Sequence, residues 1–312
     1  MIIDAHCDAL YKLWETPELS FQSSPELGVN YEKWQKNHVK VQCFAIYVPE
    51  YVHPDHQYQV ALEMIDLFFE RIIKPNPDII WVQSQQDLLN LKPDEKGAIL
   101  TLEGCHPIGE DLVKLKTLIR LGVRAVGLTW NQANAVSDGV GEERGAGLST
   151  FGKEVVQLLN ENHIWTDVSH LSYQGFWDVM DLAKYPMASH SNVYALCSHP
   201  RNLDDKQITA LIKRKAFIGV TFVSGFLDES KVATPSQVLQ HIQYILNMGG
   251  EDSLGFGSDF DGTNMIVDGL VDYDDYDAFI NMLSNHYPQN MINKITHENF
   301  IRTFPFKHQE VL

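Results

Sequence analysis

The chain has 312 residues, 44% hydrophobic and 21% charged, a globular composition that excludes a disordered or fibrous protein. A net charge of −17 argues against nucleic acid as a partner, because a phosphate backbone rewards clustered Lys and Arg. Four cysteines, Cys7, Cys43, Cys105 and Cys197, form no CxxC pair, which excludes a disulfide framework and zinc-finger spacing and leaves buried, reduced thiols as the expectation.

In chain order, short β-rich apolar runs alternate with amphipathic segments. The first run, Ile2–His6, opens the chain with no cationic leader before it. The others are Val41–Val48, Ala98–Glu103, Ala125–Trp130, Ile164–His170, Met187–His190, Phe217–Val223 and Leu254–Asp259. Near-continuous apolar character fits strands covered on both faces. Between them, Val60–Ile73, Leu112–Leu121, Val155–Asn162, Phe176–Ala183, Ile208–Lys213 and Val238–Met248 have helical spacing. Ser149 or Thr150 stands at one expected N-cap, and Ser236 precedes another helical run. Strand and helix alternating eight times predict one α/β domain over residues 1–312, a (β/α)8 TIM barrel. The Gly-rich, charged segment from Asn134 to Leu148 reads as a loop after the fourth run, and Gly139-Val-Gly141 opens no helix as a dinucleotide fingerprint requires. The stretch Tyr273–Phe304 predicts extra helices closing one end of the barrel. No window approaches transmembrane length, so a cytoplasmic protein without membrane contact is expected.

Barrel enzymes of this kind act at the carboxyl ends of their strands, and the polar residues ending these runs converge on one chemistry. His6 and Asp8 have the period-two spacing that turns both toward the barrel axis, with Cys7 outward. Glu103 follows five apolar or small residues, where a carboxylate is costly to bury unless paired with a cation. His170 and His190 end consecutive runs. Asp259, preceded by Gly255 and Gly257, can take and pass on a proton, whereas Asp261 fits a turn-capping role. Imidazoles with carboxylates suit zinc. Arg201 either clamps a substrate carboxylate or anchors its loop. The remaining histidines, including His38, His53, His56, His241 and His308, are expected at the surface.

These motifs resemble the membrane (renal) dipeptidase family of zinc peptidases, a branch of the amidohydrolase-like metal barrels. The likeness runs through Asp4-Ala-His-Cys-Asp8, Leu102-Glu-Gly104, Gly147-Leu-Ser-Thr-Phe-Gly152, Asp167-Val-Ser-His170, Ser189-His-Ser191, Arg201-Asn202 and Gly255-Phe-Gly-Ser-Asp-Phe-Asp-Gly262. The resemblance implies two Zn2+ ions bridged by Glu103, with His6 and Asp8 completing one site and His170 and His190 the other. It implies a hydroxide held between the metals, Asp259 as proton shuttle, and Arg201 on the terminal carboxylate of a dipeptide that can carry a C-terminal D-residue. Homodimers are also implied. Trp130 stands where the family carries a histidine thought to stabilise the tetrahedral intermediate, so either Asn131 or the metals would take that duty at the substrate, or transition-state stabilisation would be weaker. The alternatives are another metal-barrel hydrolysis, of an N-acyl amino acid, lactone or phosphoester, or a metal-binding regulatory protein without turnover.

Overall fold

The structure, a computed structural model, describes residues 1–305. Nine parallel strands are present among them: β1 (Ile2–Cys7), β2 (Val39–Tyr47), β3 (Ile79–Trp81), β4 (Lys96–Glu103), β5 (Val123–Gly127), β6 (Trp165–Asp167), β7 (Pro186–Ala188), β8 (Phe217–Val220) and β9 (Leu254–Phe256). β1 pairs with β2 and β9, and β2 pairs directly with β4 over Val41–Tyr47. The remaining neighbours run in chain order from β4 to β9. The sheet thus closes on itself as an eight-stranded parallel barrel with helices outside, the (β/α)8 architecture. β3 stands outside this closure. It pairs only with Lys96–Ala98, the start of β4, and its three residues after the Asn76-Pro-Asp78 turn are too few to show a periodicity.

Several strands are shorter than their apolar runs. Pairing in β6 and β9 stops at Asp167 and Phe256, because the chain must turn before the residues that matter. His170 and Asp259 both have φ of 67°, a left-handed backbone that no strand contains and that persists in a non-glycine residue only where its surroundings enforce it.

The barrel interior is filled from its amino end. Ile3 and Ala5 of β1, Val41 and Cys43 of β2, Ile99, Ala125, Trp165, Met187 and Phe217 form one buried cluster, joined by Phe300 and Phe304. The two phenylalanines come from the C-terminal helical stretch, and the Trp165 and Phe304 rings lie 4.6 Å apart. That stretch therefore closes the amino mouth, as expected, and leaves the carboxyl mouth to polar residues. Each large aromatic side chain buried in this plug contributes about 2–3 kcal/mol. A second, larger cluster seals the helices against the outside of the barrel.

Two sequence expectations need correction. The helix Pro235–Asn247 is capped by Thr234, not Ser236; Pro235 occupies its first position, and the Gln237 side chain accepts from Thr234 N–H at 2.9 Å. His241, on the same helix, is buried at 1% exposure because its two ring nitrogens join backbone from two separate segments: Nδ1 accepts from Val193 N–H (3.0 Å) and Nε2 donates to Leu227 O (3.1 Å), at the end of the short helix Ser224–Leu227. His38, His53 and His56 are exposed, and His308 lies outside the described residues. At the other helix Ser149 is the cap, accepting from Gly152 N–H at 2.9 Å. All four cysteines are free and buried. No helix among the described residues is long and apolar enough to cross a membrane.

Candidate metal centre

The local backbone of β1 sets the first half of the site. In an unbroken strand Asp4 and His6 would share a face, but the register of β1 against β2 shifts between Asp4 and Cys7, and the two side chains part. The Asp4 carboxylate accepts from Tyr276 O–H (2.7 Å) and Ser258 N–H (3.0 Å), tying β1 to the loop after β9 and to the C-terminal helices. His6 turns into the mouth. Its Nε2 lies 3.2 Å from Asp8 Oδ2, 3.5 Å from Glu103 Oε2 and 3.8 Å from Asp259 Oδ1. Cys7 packs outward in the outer apolar cluster.

Glu103, the last residue of β4, joins this half to the other. Its Oε1 is 2.9 Å from His170 Nε2 and 3.7 Å from His190 Nε2, while its Oε2 faces His6. The structure therefore brings together all six residues that ended the apolar runs: His6, Asp8, Glu103, His170, His190 and Asp259. Two glycines make the crowding possible. A Cβ on Gly257 would lie 1.9 Å from Ser189 O, and one on Gly262 would lie 2.3 Å from both Asp259 Oδ1 and Asp8 Oδ2.

Hydrogen bonds behind the two histidines assign their tautomers. His170 Nδ1 can only donate to Asn131 Oδ1, 2.8 Å away. Ser189 Oγ donates to Asp167 Oδ2, so it accepts from His190 Nδ1 at 2.7 Å. Both Nε2 atoms are then lone-pair acceptors, and they lie 3.0 Å apart beside a carboxylate oxygen. Three electron-rich atoms meet at that point, and only a cation relieves their repulsion. Across the cluster, Asp8 Oδ1 is buried without a partner. The donor set of imidazole nitrogens and carboxylate oxygens suits zinc, and the residues present fit a metal centre.

The electrostatics follow from this crowding. Burial would push the Glu103 carboxyl up, but His6 beside it holds it well below the usual range. Burial raises Asp259 well above an ordinary aspartate, with Asp8 and Glu103 adding to the rise and His6 and Arg201 opposing it. Burial and then Arg201 lower His170 to about 3, so its imidazole is neutral.

Arg201 is 5% exposed. Its guanidinium lies 5.5 Å over the Phe226 ring, and Nη2 donates to His190 O at 3.2 Å, while Nε is buried with no partner. Among the described residues it forms no ion pair, so loop anchoring by a carboxylate there does not explain it. Beside it opens a cavity of about 360 Å³ whose walls include His170, Arg201, Tyr194, Gln207 and Glu142. Asp261, as expected, is a loop anchor: it accepts from Gly28 N–H (2.7 Å), Val29 N–H (3.0 Å) and Lys12 Nζ (3.0 Å). Asn131 turns its oxygen to His170 and thereby orients that imidazole. Trp130 packs its ring 5.9 Å from His170 and 5.3 Å from Tyr47. The segment from Asn134 to Leu148 folds over His170: Val140 N–H donates to His170 O (2.7 Å), and buried Asp138 pairs with Arg144.

Sequence reasoning gave no role to Asp4, Asp167 or Ser189. A signal was present for Asp4 and Asp167, since each is a carboxylate set in an apolar strand, the same cost that drew notice to Glu103.

A closed parallel barrel with imidazoles and carboxylates crowded at its carboxyl mouth defines a metal-dependent hydrolase barrel. The model of the membrane dipeptidase family, peptidase family M19, matches residues 1–310, and the chain belongs to that family of metal-dependent dipeptidases. An uncharacterized dipeptidase of Schizosaccharomyces pombe is 30% identical over 304 residues, covering 89% of this chain and 73% of the relative. Among solved structures, the M19 metallopeptidase dipeptidase AC superposes with a TM-score of 0.91 at 26% identity, covering 97% of each chain. A metallopeptidase of Rhodobacter sphaeroides, liganded with a phosphinate mimic of the dipeptide L-Ala-D-Ala, does so with a TM-score of 0.91 at 25% identity, covering 97% of this chain and 98% of its own.

Proposed function

We propose that this protein hydrolyses dipeptides with two zinc ions bridged by Glu103, and that C-terminal D-residues are among its substrates. The observation that carries the reading is the split of Glu103 between His6 on one oxygen and His170 with His190 on the other. In this assignment His6 and Asp8 complete one metal site and His170 and His190 complete the other. When bound, the two ions supply Lewis acidity toward the peptide carbonyl and a hydroxide nucleophile at neutral pH.

The chain's own residues supply the rest. Asp259, held beside His6 and Asp8, accepts the nucleophile's proton and delivers it to the leaving amine. Arg201, with an unpartnered buried Nε at the cavity wall, binds the substrate's terminal carboxylate. An arginine at one end and a metal centre at the other limit the length of substrate, and the cavity volume lies within the range of small-molecule sites. The D-residue reading draws on the L-Ala-D-Ala mimic bound by the Rhodobacter sphaeroides relative. Four unpaired buried thiols fit a reducing compartment such as the cytoplasm.

The test is metal analysis with hydrolysis of a panel of L–L and L–D dipeptides, with and without a chelator. Two zinc per chain with chelator-sensitive cleavage of L–L and L–D members is expected. Cleavage of lactones or N-acyl amino acids in preference to every dipeptide would overturn the substrate assignment.

A further inference from the structure

We propose that Tyr47 is a further catalytic residue, its phenol donating a hydrogen bond to the oxyanion formed when the scissile carbonyl becomes tetrahedral; this rests on the dipeptidase reading above. Position comes first. β2 and β4 pair in unbroken register from Val41 with Gly97 to Tyr47 with Glu103, so Tyr47 stands beside Glu103 on the same face. That face is the barrel interior, because Val41 and Cys43 of β2 belong to the interior plug while Phe44 and Ile46 pack outside. The tyrosine therefore enters the mouth at the bridging glutamate.

Its hydroxyl is also uncommitted. The Tyr31, Tyr51, Tyr273 and Tyr276 hydroxyls donate to Asp78, Glu15, Gln42 and Asp4. Among the described residues none holds the Tyr47 hydroxyl, although Glu103 and Asp8 are among the charges that act on it. The ring itself is fixed by edge contact with Tyr11 at 5.5 Å and by Trp130 at 5.3 Å. A half-buried donor positioned by its ring and left free at its hydroxyl is preorganised for charge that appears only during the reaction. Burial, with Glu103 and other nearby anions adding to it, pushes the phenol above its ordinary value, so it stays protonated at neutral pH.

In the step, the nucleophile's oxygen bonds to the carbonyl carbon and the C=O π pair moves onto oxygen, where the Tyr47 O–H meets it without transferring its proton. The pair returns as the C–N bond breaks, and the amine leaves with the proton from Asp259.

The experiment compares zinc-loaded wild type with Tyr47→Phe, which keeps the ring and its packing. With L-Ala-D-Ala, kcat is expected to fall about a hundredfold, the effect of losing one oxyanion donor. KM should stay within about twofold, with zinc content and melting temperature unchanged. Affinity for a phosphinate dipeptide analogue, which mimics the tetrahedral state, should weaken by the same factor as kcat. Unchanged kcat, a change confined to KM, undiminished analogue affinity or lost zinc would each overturn the role. A wild type that cleaves no dipeptide would instead remove the reading on which the role depends.

Discussion

His170 and His190 point their Nε2 atoms at one another across 3.0 Å, with Glu103 Oε1 2.9 Å from the first and 3.7 Å from the second. Asn131 and Ser189 hold the opposite ring nitrogens as donors, so neither Nε2 carries a proton to share. Lone pairs crowded in this way repel one another, and a divalent cation would convert that repulsion to attraction.

In the proposed centre each of these groups is a metal ligand. His170→Ala and Glu103→Ala are each expected to bind less zinc than wild type and to lose activity by more than about a hundredfold, beyond what loss of a group behind a ligand costs. Zinc titration followed by assay at saturating metal checks this. Full zinc with full activity in either variant would remove that residue from the centre.

Asp259 sits 3.8 Å from His6 Nε2 on a left-handed backbone, beside the proposed metal ligands and raised in pKa by burial first. Asp259→Asn preserves the shape and a hydrogen-bonding side chain but cannot move a proton. It should retain zinc while kcat falls by about 10²–10⁴-fold, the usual contribution of a general acid–base group. A variant with unaltered kcat would assign the shuttle elsewhere.

Arg201 predicts a different kinetic signature. Its guanidinium is buried by Phe226 and His190 O with one N–H unmet, so the missing partner is expected to arrive with substrate. Charged hydrogen bonds contribute about 1.5–3 kcal/mol. Arg201→Ala should therefore raise the dipeptide KM by roughly ten- to a hundredfold, with a smaller change for a substrate whose terminal carboxylate is amidated. Equal losses on both substrates would argue against carboxylate recognition.

The parts of this site that were legible in the sequence share one physical cause. His6, Glu103, His170, His190 and Asp259 each end an apolar run, where an unpartnered polar group is too costly to be incidental. What stayed illegible depends on contacts across the chain. The positive φ of His170 and Asp259 comes from loops folding back, so both runs read as longer strands than they are. β3 has three residues and a single partner strand. Asn131 carries nothing local to mark it as the group behind His170. His241 resembles a surface histidine until Val193 and Leu227, 48 and 14 residues away, are seen to meet it.

That burial carries the last prediction. His241 is held neutral, with burial lowering its pKa to about 4, against about 6.5 in the unfolded chain. The unfolded state therefore takes up the proton first as pH falls. The stabilising contribution is complete above about pH 6.5 and is lost progressively down to about pH 4, amounting to about 3 kcal/mol. Urea unfolding of wild type should weaken over this window. His241→Gln, which keeps a donor and an acceptor but cannot titrate, should be less stable at pH 7.5 through imperfect fit and show a shallower decline toward pH 5. Because His241 anchors Val193, three residues after His190, its protonation should also loosen the loop that presents Arg201. Parallel pH slopes for the two proteins would show that His241 does not set the acid limit of the fold.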